Sequence, residues 1–216
     1  MRLQTTILVL VTMTIFGTAA AAADVDPDMR VVIRTYNAAR LAEADVESAM
    51  ATATSILKAS ELALTWRGCE DGYVRNPAHP CAAPLGVNEI AVRIVRMTTD
   101  AGYRGELSLG YSLVDTATHS GKLATIYLDR VAWLANAAGV DPTTLLGRAI
   151  AHELGHLLLG TNAHSDSGLM RALWSCADLQ RNDGSDWVFA PADAQALHQA
   201  IHLREVMRMA RVRLGD

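Results

Sequence analysis

Residues 30–36 (RVVIRTY) alternate in polarity and are rich in β-branched side chains, the signature of a strand. Residues 41–62 follow with helical periodicity among good helix formers, and 64–69 read as a second strand. A strand, helix, strand unit implies parallel pairing with the helix as crossover. Beyond a loop rich in Gly, Pro, Asn and Asp, three more strands are predicted at 89–97 (EIAVRIVRM), 107–114 (LSLGYSLV) and 123–131 (LATIYLDRV). Gly110, in the middle of the fourth, suits a place where another backbone comes close, with a bulge as the bland alternative. A strongly apolar helix is then bounded by Asp141 as N-cap, Pro142 at its first position and Gly160 as a left-handed terminator. Residues 176–187 read as polar and irregular, and 191–214 as a terminal helix.

The first 23 residues carry a different pattern: Arg2, an apolar run from Ile7 to Phe16, then Gly17, Thr18 and five alanines. That is a secretory signal peptide, cleaved most simply after Ala23, which makes the protein secreted or periplasmic. The run is too short for a comfortable membrane span and no cysteine follows to accept a lipid, so no stable membrane anchor is expected after cleavage. Residues 24–216 are enough for one domain and too few for two.

The chain carries 19 basic and 23 acidic side chains, a net charge of −4. Nothing in that balance suggests a nucleic-acid partner. Three cysteines make an odd count for an exported protein. Cys69 and Cys81 flank the Gly/Pro/Asn/Asp loop and are expected to pair as a disulfide, leaving Cys176 over as a small apolar filler.

The chemistry is concentrated in His152-Glu153-Leu154-Gly155-His156. Residues at i and i+4 of a helix stack one above the other with Cβ atoms about 5–6 Å apart, so both imidazoles can reach one metal ion. Glu153 is turned about 100° from His152 and projects beside that ion, where a general base is needed. Two histidines and a glutamate on an apolar helix are costly to desolvate unless something pairs with them, and a catalytic zinc ion does so. Gly155 leaves room between the histidines for another segment to approach. A second i, i+4 pair, His198 and His202, has no base beside it and reads as a satisfied helical pair; His79 and His119 fall in loops without chemical company.

With Gly160, His164 and Met170 downstream, the chain resembles the metzincin clan of zinc metallopeptidases, most nearly archaemetzincin-type or uncharacterised bacterial members. That resemblance implies an α+β, zincin-like fold: a mixed twisted five-stranded sheet with an antiparallel edge strand, a crossover helix, an active-site helix and a C-terminal helix. It also implies an N-terminal sheet subdomain to about residue 160 and a small C-terminal one over 161–216. In the family, a glycine turns the chain, a third histidine completes the zinc site and a later tight turn sets a methionine beneath the metal. Those roles fall to Gly160, His164 and Met170 in Ser167-Gly168-Leu169-Met170-Arg171. The chain departs from the family in spacing, since its glycine and third histidine stand four and eight residues after His156 rather than three and six. Position 172 is alanine where some metzincins carry a substrate-facing tyrosine, a role open to Trp174 or Tyr111.

Rival third ligands are Glu205 in the terminal helix and Asp166. The resulting expectation is an exported zinc-dependent metallopeptidase, a monomer acting on peptide or protein substrates, with Zn2+ on His152, His156 and His164. Glu153 is its general base, and Gly110 and Tyr111 on the edge strand receive the peptide by strand addition. Its alternatives are a non-catalytic exported zincin-fold binding protein and a metal-dependent amidohydrolase acting on a non-protein substrate.

Overall fold

Alternating β-branched residues build the first strand, and Ile33, with no exposed surface, marks the face it turns to the core. The computed structural model describes residues 31–69, 76–97 and 108–214. The leader read in residues 1–23 lies outside them, as do parts of the loops before the third and fourth predicted strands. The elements are β1 (Val31–Asn37), α1 (Glu43–Lys58), β2 (Leu64–Gly68), β3 (Glu89–Val95), β4 (Gly110–Asp115), β5 (Ser120–Tyr127), α2 (Leu128–Ala138), α3 (Pro142–Leu159), α4 (Cys176–Arg181) and α5 (Pro191–Leu214).

The strands form one five-stranded sheet in the order β2-β1-β3-β5-β4. β1 pairs in parallel with β2 and β3, and β3 with β5, whereas β4 runs antiparallel to β5 at the edge. This is the α+β architecture expected, with α1 as the crossover between two parallel neighbours. α3 packs between α1 and the β4–β5 end of the sheet. Its Leu145, Ile150, Leu154 and Leu157 have no exposed surface and meet Val92, Ile94 and Ile126 from the strands in one core.

The other face of the sheet is closed by a polar device. Buried Arg34 donates to the carbonyls of Ala83 and Pro84 and pairs with Glu89, which also accepts from Arg67. Cys69 and Cys81 are joined by a disulfide, with Cα atoms 5.7 Å apart, at the base of the same loop. Among the described residues no helix is long and apolar enough to cross a membrane.

Three local expectations are corrected. The fifth strand does not run to Val131: it ends at Tyr127, and Leu128–Ala138 form α2, closed by Gly139 at φ 66°. Apolar residues from 123 to 131 serve strand and helix in turn, so their pattern hid the boundary. Segment 176–187 is not irregular throughout, because Ser175 and Asp178 make a capping box that starts α4, and a 3-10 turn spans Gly184–Trp187. Cys176 is free but exposed, not a buried filler.

Candidate active site

α3 starts where Asp141 accepts a hydrogen bond from the Thr144 amide, with Pro142 behind it. Bonds from the Thr143 and Thr144 hydroxyls hold the Asp141 carboxyl down to about 2. The helix ends at Gly160, φ 66°, in the left-handed cap. Between these ends the helical repeat brings His152 and His156 together, with their Nε2 atoms 3.1 Å apart.

That contact is not an ordinary hydrogen bond. Nδ1 of His152 lies 2.9 Å from the Leu169 carbonyl, and Nδ1 of His156 lies 2.9 Å from the Thr161 carbonyl. A carbonyl oxygen only accepts, so both Nδ1 atoms carry the proton and both Nε2 atoms present lone pairs to each other. Burial keeps the rings neutral, pushing His152 down to about 4 and lowering His156 and His164 as well. Two lone pairs at that distance repel unless a cation lies between them. Two nitrogens held tetrahedrally at zinc–nitrogen lengths of 2.0–2.1 Å would stand about 3.3 Å apart, so the donor pair fits zinc. The carbonyl partners are the outer hydrogen bonds that metal-binding imidazoles ordinarily need.

His164 joins the pair from an exposed loop. Its ring stacks on His152 at 5.3 Å and meets His156 edge-on at 4.8 Å. One ligand atom from each of the three histidines lies within 4.8 Å of the others, the one such grouping among the described residues. Asp166 is exposed and outside it, and the side chain of Glu205 lies outside the described residues.

Glu153 is buried at 6% exposure and faces the edge strand. The Ser112 hydroxyl lies 2.6 Å from Glu153 Oε2 and 2.8 Å from the Glu153 carbonyl. Desolvation pushes the carboxyl up to about 7 against the opposing bond from Ser112. Gly110 stands at the start of β4, not its middle, and its close neighbour is this carboxylate. A Cβ at Gly110 would fall 3.0 Å from Glu153 Oε1 and 2.7 Å from the Thr125 carbonyl. Tyr111, next along, turns away from the carboxylate, 37% exposed and 6.0 Å from the Tyr127 ring.

Met170 sits in a tight turn in which the Arg171 amide approaches the Gly168 carbonyl and Gly168 adopts φ 73°. Its buried sulfur lies under α3, where a Cβ at Gly155 would come within 2.6 Å of it and 2.8 Å of Phe189. The gap that Gly155 leaves is therefore filled by this turn.

These groups open onto a cavity of about 900 Å³ floored by His152, Glu153, His156 and His164. Exposed Tyr111, Trp133 and Leu173 stand at its mouth, and Ser112 and Asn162 also line it. Trp174 meets His152 edge-on at 5.4 Å. Ser112, Asn162 and Trp133 were not singled out from sequence. Gly110 and Ser112 do carry a signal, because small or polar residues hold the inward positions of β4 where apolar ones would ordinarily pack. The remaining histidines lie elsewhere: His198 bonds the Ser60 carbonyl at 2.7 Å, His119 approaches the Gly160 carbonyl, His79 caps a 3-10 turn, and His202 is exposed.

No protein-family model matches the chain, and no curated protein matches its sequence. Among solved structures, archaemetzincin from Methanopyrus kandleri is similar at 14% identity and a TM-score of 0.50, over 82% of this chain and 99% of that one. A zinc-dependent peptidase from Methanocorpusculum labreanum aligns at 13% identity and TM-score 0.48, over 76% of this chain and 99% of that one. Metalloproteinase-II from Bacteroides fragilis aligns at 14% and 0.46, over 79% of this chain and 53% of that one. At such identities the likeness is one of fold: the chain has the mixed-sheet architecture of the Methanopyrus kandleri archaemetzincin.

Proposed function

We propose that this protein is an exported zinc-dependent metallopeptidase, residues 24–216 forming one catalytic unit. The observation that carries the reading is the pair of imidazole Nε2 atoms 3.1 Å apart, each with its Nδ1 held by a backbone carbonyl, beside the buried carboxylate of Glu153. His152, His156 and His164 would hold the ion. When bound, zinc supplies Lewis acidity toward a carbonyl oxygen and toward water.

The chain's own groups do the rest. Glu153, raised toward neutrality by burial, takes a proton from the attacking water and passes it to the departing amine. Ser112 holds one carboxylate oxygen, and Gly110 leaves the other the room that a Cβ would take, so the base meets the cavity in a defined orientation. A peptide enters as an added strand along the outer edge of β4, whose Tyr111 borders the cavity. Main-chain pairing at a sheet edge favours peptides over small amides, and a buried base beside the ligands has no use in a protein that only binds metal.

The test combines metal analysis with peptide cleavage in the wild type, Glu153→Gln and His164→Ala. The expected result is one zinc per chain and cleavage in the wild type, zinc without cleavage in Glu153→Gln, and weakened zinc in His164→Ala. Cleavage unchanged in Glu153→Gln would sink the mechanism. Zinc binding without cleavage of any peptide in a diverse library would favour the binding-protein reading, and cleavage confined to non-peptide amides the amidohydrolase.

A further inference from the structure

We infer that Asp193, in the first turn of α5, positions His164 through the hydroxyl of Ser165. This rests on the proposed zinc site, with His164 as its third ligand. The problem the molecule must solve is one of reach. His152 and His156 are set by the helical repeat, but His164 comes from a stretch, 161–165, with no regular structure.

The chain from Thr161 to Leu169 is tied at both ends to the other two ligands. The Thr161 carbonyl accepts from His156, and the Leu169 carbonyl accepts from His152. Both ties fix the ends. Between them the Ala163 amide donates to the Thr161 hydroxyl at 3.1 Å, and the remaining bonds fall on Ser165, the residue directly after His164. Its amide donates to the Met170 carbonyl at 2.9 Å, and its hydroxyl lies 2.8 and 2.7 Å from the two oxygens of Asp193. One hydroxyl hydrogen shared by a carboxylate makes a charge-assisted bond, stronger than a neutral one.

Asp193 is a fixed point. Its helix is seated by buried Leu197 and Ile201, and the chain just before it is held where the Leu169 amide donates to the Val188 carbonyl. A carboxylate in a first helical turn is also favoured by the helix dipole. The segment that clamps the methionine turn therefore reaches back, five residues later, to clamp the third ligand. A stretch without regular structure is held by an anchor from another element.

The measurement is zinc affinity of the purified protein by competition with a chelator, alongside unfolding of the metal-free form. Ser165→Ala and Asp193→Ala should each weaken zinc roughly tenfold to a hundredfold, the range for residues that orient ligands without touching the metal. Ser165→Thr, which keeps the hydroxyl, should restore the affinity. The double variant should cost no more than either single one. A role confined to capping α5 would show up as a lower metal-free unfolding midpoint in Asp193→Ala, with Ser165→Ala unaffected in both readouts. If His164→Ala loses affinity while Ser165→Ala keeps it, the inference falls and the zinc site stands. If His164→Ala binds as tightly as wild type, the underlying assignment falls instead. Should Asp193→Ala not fold, Ser165→Ala and its threonine counterpart decide alone.

Discussion

The site has two unlike halves. α3 and β4 supply His152, His156, Glu153 and Ser112 from regular elements seated on the sheet, with Glu153 and His156 almost wholly buried. The return segment, 161–193, supplies His164 and Met170 from turns and short helices held by side-chain bonds and ion pairs. Arg171 alone lies 3.5 Å from both Asp178 and Asp186, and Arg181 reaches the same two carboxylates. The first half is rigid because its backbone bonds are repetitive; the second is ordered one polar contact at a time. Chemistry should therefore depend on single atoms in the first half, and metal retention on single contacts in the second.

The largest expected effect separates the halves cleanly. Glu153→Gln keeps the shape and the bond to Ser112 while removing the proposed base, so kcat should fall by about 10²- to 10⁴-fold. Zinc content should stay at the wild-type level. Loss of zinc in this variant would mean that Glu153 belongs to the metal's own binding set and that the division is wrong.

The seam comes next. Gly155 is where the two halves touch, with Met170 and Phe189 filling the space a side chain would need. Gly155→Val should cost about 1–3 kcal/mol or more from overpacking, read as a lowered unfolding midpoint with reduced zinc affinity. A neutral result would show that the return segment can move away at no cost, and that Met170 does not support the histidines from below.

A smaller effect tests order within the rigid half. Ser112→Ala removes the hydroxyl that orients Glu153, and kcat should drop roughly tenfold with KM little changed, the signature of an interaction felt in the transition state. Thermal stability should change by less than about 1.5 kcal/mol, the net worth of a typical hydrogen bond.

The two halves also differ in how legible they were. The i, i+4 histidines, the glutamate between them and the succession of strands and helices follow from periodicities of 3.6 and 2, and the caps of α3 from Asp141, Pro142 and Gly160, all local properties of the chain. Ser112 escaped notice because its partner lies 41 residues away and depends on how β4 registers against β5 and α3. Trp133 was missed with α2, since the apolar residues that end β5 continue into that helix without a break. The bond between Ser165 and Asp193 spans 28 residues and has no periodicity at all. What was hidden is what depends on tertiary packing, and the bonds that tie the return segment to His152 and to Asp193 are of that kind.

The smallest effect concerns pH and the metal-free protein. His152 is held neutral in the fold, down to about 4, while the unfolded chain takes up its proton below about 6.5. It therefore contributes nothing above that pH, and an increasing penalty as pH falls from 6.5 toward 4. Glu153 acts in the opposite direction. Its carboxyl is raised to about 7, so the unfolded chain ionises first and the penalty grows as pH rises from about 4.5 to 7. The two nearly cancel between pH 4.5 and 6.5, and the lowered His156 and His164 tilt the balance toward greater stability at higher pH. Metal-free wild type should gain stability only weakly over that interval, by urea unfolding. Glu153→Gln, freed of the opposing group, should climb visibly more steeply over the same interval and overtake the wild type near neutrality. Parallel curves for the two proteins would mean that Glu153 is already ionised in the metal-free fold, and that Ser112 outweighs burial in setting its charge.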